Sequence, residues 1–333
     1  VIVVGSWVTT PAGQQNPQPS FPGAPVGKAG EAIFAAVEGW GPLSDGRNAI
    51  EIGYNNRNRD QVIDVPIGPN NKIEPGGPDF GQPTHFEPGR AWGIFAIAVP
   101  KDFGTKSYTW TITANGTTTA VQLSMKPAYW IDFYKNAAKG NTPPVIKFAE
   151  NGPEYSGPPV GVALNLNATV GQPLPLALWA KDAPNTYDPE EGLPDNLRSS
   201  NQARGRGRGG NDDAAAAAAA RAARAGGAGG ANFDVSAAQG RNPGGRGRGQ
   251  GTPADVTVSW KVHRGDKPVK FADEAIRLEH YGDWTLWMPA KTTATFSAPG
   301  EYWLRAQVND NSGDGGAGEQ CCWTNAVVKV TVK

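Results

Sequence analysis

The chain has 333 residues with 31 basic and 31 acidic side chains, a length of about two domains and no net field to draw nucleic acid or an anionic membrane. Its 44 glycines and 29 prolines favour short strands joined by many turns over long helices. No segment approaches the ~20 uninterrupted apolar residues of a membrane helix, so no transmembrane segment is expected.

Residues 1–22 form a Gln/Pro-rich arm, with Pro11, Pro17, Pro19 and Pro22, expected to be extended and ordered only if something binds it. The chain opens on Val1 rather than methionine, which fits a product trimmed of a signal peptide and a periplasmic or extracellular location.

A first β-sandwich domain is read over 23–127. Ile33, Ala35 and Val37 alternate with their neighbours, as do Ile63, Val65 and Ile67, the period of half-buried strands. Residues 92–99 are apolar on both faces, which suits a central strand. Tyr108, Trp110, Ile112 and Ala114 alternate with Ser107, Thr109, Thr111 and Thr113, and Asn115-Gly116 then marks a two-residue hairpin. Between these strands, residues 68–90 carry five prolines and are read as a long loop available for partner contacts.

Residues 128–160 connect the domains, with Tyr129, Trp130, Phe133 and Tyr134 expected to pack between them. The second domain, 161–333, opens on alternating Leu174, Leu176, Leu178 and Ala180. It resumes at Val256, Val258, Trp260 and Val262, and closes on two strands around 300–309 and 325–333. An insertion over 195–253 interrupts it with two Arg/Gly runs and the alanine run 214–220. Nine Arg against four Asp leave it at +5, and few apolar side chains larger than alanine offset its ordering entropy. It is expected to stay mobile unless a partner orders it.

The run Gly300-Glu301-Tyr302-Trp303-Leu304, through Val308, Asp310, Ser312 and Gly313 to a valine strand, resembles the end of a PKD-like or cadherin-like module. The opening from Gly171 through Pro173 and Leu174 to Ala180 and Asp182 is similar to the start of one. The resemblance covers about 140–333 without the insertion. It implies an immunoglobulin-like antiparallel β-sandwich there, with Trp260 as the core tryptophan; the strand pattern alone makes the first domain a second such sandwich, so the fold is read as all-β with two immunoglobulin-like domains. It also implies a spacer, connector or binding surface rather than an enzyme. The whole chain further resembles uncharacterised exported bacterial proteins that share the segments 83–89 and 321–326, a likeness that supplies no function.

Several residues are candidates for a site. Asp310, Ser312 and Asp314 cluster oxygen ligands in one turn, with Glu319 the nearest closing carboxylate; this is a partial match to a calcium loop, and a solvated Asp/Gly turn is the plain alternative. Asp182, Asp188, Glu190 and Glu191 could lie near the same end of the module. Alternation turns Trp179 and Trp303 away from their own core, and Tyr281, Trp284 and Trp287 add aromatic surface. These rings suit a protein interface or a sugar-stacking platform, unless other parts of the chain cover them. Arg204, Arg206 and Arg208 offer a cationic contact; without interleaved aromatics they do not point to nucleic acid. Arg264-Gly265-Asp266 spells an adhesion tripeptide, which three residues do easily by chance. Asn115 and Asn167 open glycosylation sequons. Cys321 and Cys322, adjacent in sequence, are either a strained vicinal disulfide or two thiols.

No nucleophile–base motif, H-E-x-x-H or phosphate loop occurs. The expectation is a non-catalytic structural or assembly subunit acting through protein partners or self-assembly. A carbohydrate-binding or adhesion module is the alternative, with no cofactor beyond possible calcium at Asp310.

Overall fold

A computed structural model describes residues 27–136, 140–183, 256–265, 267–279, 283, 285–310 and 323–333. It is nearly all β, 55% strand against 1% helix, arranged as several largely antiparallel sheets. None of the described helices is long and apolar enough to cross a membrane. The tripeptide Pro127–Tyr129 forms a single 3-10 turn.

The first half contains β1 (Ile33–Pro42), β2 (Asn48–Asn56), β3 (Ile63–Asp64), β4 (Asn71–Glu74), β5 (His85–Phe86), β6 (Gly89–Val99), β7 (Ser107–Ala114) and β8 (Thr117–Ser124). They pair as β1-β2-β6, β4-β7-β8 and the short ladder β3-β5. The β-branched and aromatic residues that alternate along these strands suit a pleated surface with one dry face. Ile33, Ile50, Ile52 and Tyr54 of the first sheet meet Ile73, Trp110, Ile112 and Leu123 of the second in one core. At the β7–β8 turn Asn115 has φ 49° and Gly116 φ 75°. Two positive φ angles are what a two-residue hairpin turn with the right twist requires.

The second half contains β9 (Val145–Lys147), β10 (Leu164–Ala168), β11 (Leu174–Lys181), β12 (Val256–Arg264), β13 (Val269–Phe271), β14 (Ala275–Leu278), β15 (Met288–Phe296), β16 (Gly300–Asn309) and β17 (Trp323–Val332). A five-stranded sheet, β10-β17-β16-β12-β14, faces a four-stranded one, β13-β15-β11-β9. Leu176, Leu178 and Ala290 of the smaller sheet pack on Val258, Leu304 and Val328 of the larger, with Trp260 1% exposed among them. The closing strands pair as their alternation predicts, from Gly300↔Val332 to Asn309↔Trp323.

Four expectations need correction. The ladder β10–β17 is parallel, Leu164↔Val328 to Ala168↔Val332, so the second half is not wholly antiparallel. Residues 92–99 belong to β6, which the sheet order places at an edge; on their second face Ala96 packs with Phe133 of the connector, and the open edge is met by Pro159 O, which accepts from Ala96 N–H at 3.2 Å. The 68–90 loop contains β4 and β5. Within the connector Phe133 is buried, but Tyr129 and Trp130 are exposed rather than packed between the halves.

Both halves fall in one compact unit. The outer face of the five-stranded sheet meets the 79–84 segment and β6. Thr84 N–H donates to His263 O at 3.0 Å, and Asn325 Nδ2 donates to Gly93 O at 2.8 Å. His263, Arg305 and Asn325, polar residues of that outer face, are all buried by this seam.

Candidate functional site

Trp303 lies at the seam. Arg264 stacks its guanidinium 4.0 Å from the centre of the Trp303 ring, and the His263 ring lies nearly parallel at 6.2 Å. The same guanidinium grips Asp79 by two bonds of 2.6 and 2.9 Å, and Arg264 Nε donates to Gln82 O at 2.8 Å. Burial holds His263 neutral, down to about 3, while its Nε2 meets Gly81 O at 2.8 Å. Arg264 is therefore committed to an internal clamp, which removes the cation an adhesion tripeptide would present. Asp79, Gln82 and Thr84 of the 68–90 segment are likewise used inside the chain.

Trp179 and Trp287 converge on the outer face of the four-stranded sheet. Trp179 pairs across with Lys147 of β9 and Pro289 of β15. Lys147 and Lys181 set their ammonium groups 4.2 and 4.6 Å from the centre of the Trp287 ring. Such cation–π contacts are worth about 0.5–1 kcal/mol each at exposed sites and fix where the charge stands. The strand alternation that turned Trp179 outward is the signal; Lys147 was reachable only through cross-strand register.

Asp310 directly follows β16 and its charge acts on Asp182, which follows β11. Burial first, then the Asp310 charge, push the Asp182 carboxyl up to about 8, and its Oδ1 is buried with no hydrogen-bond partner. Asn141 Nδ2 donates to Asp310 Oδ2 at 2.5 Å. Calcium takes six to eight oxygen ligands. Here two carboxylates stand together and the nearest amide turns its N–H toward one of them. No group of three or more His, Cys, Asp or Glu fit to hold a metal occurs among the described residues. The described residues by themselves do not make a calcium cage. A proton on Asp182 answers the like-charge pairing instead.

Asp188, Glu190, Glu191, Ser312, Asp314, Glu319, Tyr281, Trp284, Arg204, Arg206, Arg208, Cys321 and Cys322 lie outside the described residues.

Two further features were not read as sites in the sequence, which assigns Tyr129 and Trp130 to packing between the domains. Tyr129 and Trp130, consecutive on the turn after β8, are 49% and 54% exposed. Pro127 opens the turn, and Trp40 Nε1 anchors its start by donating to Lys126 O at 2.7 Å. The Pro-Ala-Tyr-Trp run, an aromatic pair directly after a turn signal, was the available clue. The second feature is a seam cavity of about 340 Å3, lined by Asp64, His85, Glu87, Lys261 and Glu274 among others. His85 Nδ1 meets Asp64 Oδ1 at 2.7 Å and Nε2 meets Glu87 Oε1 at 3.4 Å. Burial lowers its pKa, but the hydrogen bonds it donates to the two carboxylates, with their charges, outweigh this and raise it to about 9. A histidine charged at neutral pH with both ring nitrogens engaged has no lone pair for base work.

Fold and geometry together define an all-β protein with a clamped seam, an exposed aromatic turn and a lysine–tryptophan sheet face. No family model, curated protein or solved structure matches the chain.

Proposed function

We propose that the chain is a non-catalytic structural subunit of a larger extracytoplasmic or membrane-associated assembly, held in place by protein–protein contacts. The observation behind this reading is the exposed pair Tyr129 and Trp130. Neither ring meets another aromatic or a cation among the described residues. Two large amphipathic rings left bare on an anchored turn suit a partner's pocket, since such residues dominate interface energetics. The clamp at Arg264 supports it as well, because a spacer must hold its two ends in fixed relation. Each half pairs two facing sheets over one core, as the immunoglobulin-like modules that the C-terminal residues resemble would.

The test is the mass and composition of the complex isolated gently from its source and imaged by cryo-electron microscopy, beside a Trp130→Ser chain. A discrete assembly that loses this subunit on substitution supports the reading. A monomer with no co-purifying partner overturns it.

A second reading, a carbohydrate-binding or adhesion module, is favoured by Trp179 and Trp287 sharing one sheet face. Sugar-dependent quenching of tryptophan fluorescence would support it, and silence across a glycan panel would count against it.

A further inference from the structure

The outward positions of the four-stranded sheet carry Lys147, Lys181, Lys270 and Lys291 and no aspartate or glutamate. Glu154, from the loop after β9, comes within 4.0 Å of Lys181, and Lys147 Nζ also donates to Glu150 O at 2.6 Å. Lys270 and Lys291 are exposed and have no ion-pair partner among the described residues.

The register fixes where each cation stands along the sheet. Lys181 lies four residues along β11 from Ala177, which pairs with Lys291. Lys291 lies four residues along β15 from Thr295, which pairs with Lys270. Lys147 stands opposite Trp179, two residues from Lys181 and two from Ala177, so the four cations lie about 7, 7 and 14 Å apart along the strands. Trp287 holds the ammonium groups of Lys147 and Lys181 in place, and half-buried Trp179 stands opposite Lys147.

We infer that this face binds a linear acidic polysaccharide, its carboxylates or sulfates meeting the lysines and a pyranose ring lying against Trp179. The inference rests on the carbohydrate-binding reading and names its ligand class. An open sheet face suits a polymer that runs across it rather than a small molecule that must be enclosed. The aromatic count argues against a nucleic acid. Single-strand platforms stack successive bases on successive rings, whereas here Trp287 is covered by two ammonium groups and Trp179 alone is left for stacking among the described outward positions. An acidic sugar chain can set its anionic groups on the lysines while one pyranose turns its C–H face to the apolar surface of the tryptophan.

Affinity electrophoresis of the full chain through gels containing polygalacturonate, dextran sulfate or neutral dextran tests this, with poly(dT) as a fourth probe. Retardation is expected in one or both anionic gels and not in dextran, and it weakens with added salt. Lys270→Gln and Lys291→Gln, both at exposed positions, should each weaken binding about two- to fivefold without shifting Tm. Retardation by polygalacturonate alone would mark carboxylate as the ligand group, and by dextran sulfate alone, sulfate. Tighter binding to poly(dT) than to either acidic gel overturns the inference. Retardation by neutral dextran alone overturns the acidic ligand but keeps the carbohydrate reading, and silence in every gel removes both.

Discussion

Arg264 and Asp79, 185 positions apart in sequence, form a two-bond ion pair of 2.6 and 2.9 Å that fastens β12 to the segment between β4 and β5. The Arg264 side chain is 11% exposed and Asp79 47%. Replacing Arg264 by Ala removes both bonds, the bond to Gln82 O and the cover on Trp303. The expected loss is about 2–3 kcal/mol, read as a lower urea midpoint. Arg264→Lys should recover only part of it, because an ammonium cannot reproduce the paired geometry. An unchanged midpoint in Arg264→Ala would mean that the clamp does not hold the halves.

Buried carboxyls should make stability fall as pH rises. Glu51 is buried with Oε2 unpartnered; burial, then the Glu38 charge, push it up to about 8 from 4.5. Asp182 is likewise raised to about 8 from 3.8. A carboxyl with a raised folded pKa gives stability that is complete below its unfolded value and lost as pH climbs through the folded one. His85, raised to about 9 from 6.5, acts in the same direction at higher pH. Tm should therefore decline between pH 5 and pH 8. Glu51→Gln and Asp182→Asn should each flatten the decline, gaining Tm at pH 8 and little at pH 5. Repeating the scan with calcium separates proton from metal: a rise at pH 8 in the natural chain but not in Asp182→Asn would place a cation beside Asp310.

Asn71 should be the costliest polar residue of the first half. It is 0% exposed; Nδ2 donates to Val65 O and Pro83 O at 2.9 and 2.8 Å, and Oδ1 accepts from Trp110 Nε1 at 2.9 Å. Asn71→Ala leaves three buried groups unpaired, a loss of about 3 kcal/mol or more, to be measured by urea denaturation. A loss under 1 kcal/mol would show that water replaces the amide.

Gly93 should tolerate no side chain. Its φ is +50°, and a Cβ there would stand 2.7 Å from Glu51 Oε1 and 3.0 Å from Trp323 Nε1. Gly93→Ala would push β6 from β17 at the seam and add left-handed strain of about 1–2 kcal/mol. A drop in Tm with loss of near-ultraviolet tryptophan signal is expected, and a normal Tm would contradict this packing.

Much of the strand content was legible because alternation has a local cause. A strand with one dry face must place apolar side chains at every second position, so Tyr302, Leu304, Ala306 and Val308 declared themselves, as did Trp110 and Ile112. Asn115-Gly116 declared its hairpin because few other dipeptides accept two positive φ angles. The short strands inside 68–90 were hidden: two to four residues among prolines carry too little pattern.

Local sequence by itself therefore determined the β character, the inward and outward sides of most long strands, and the outward placement of Trp179 and Trp303. Only the tertiary structure decided what each outward residue meets. Trp303 went under Arg264 at the seam, Trp287 under Lys147 and Lys181, and Tyr129 and Trp130 into solvent. Alternation assigns a side chain to a face through its own backbone, but what covers that face comes from segments up to two hundred residues away. Their approach depends on sheet order and register, which no local pattern encodes.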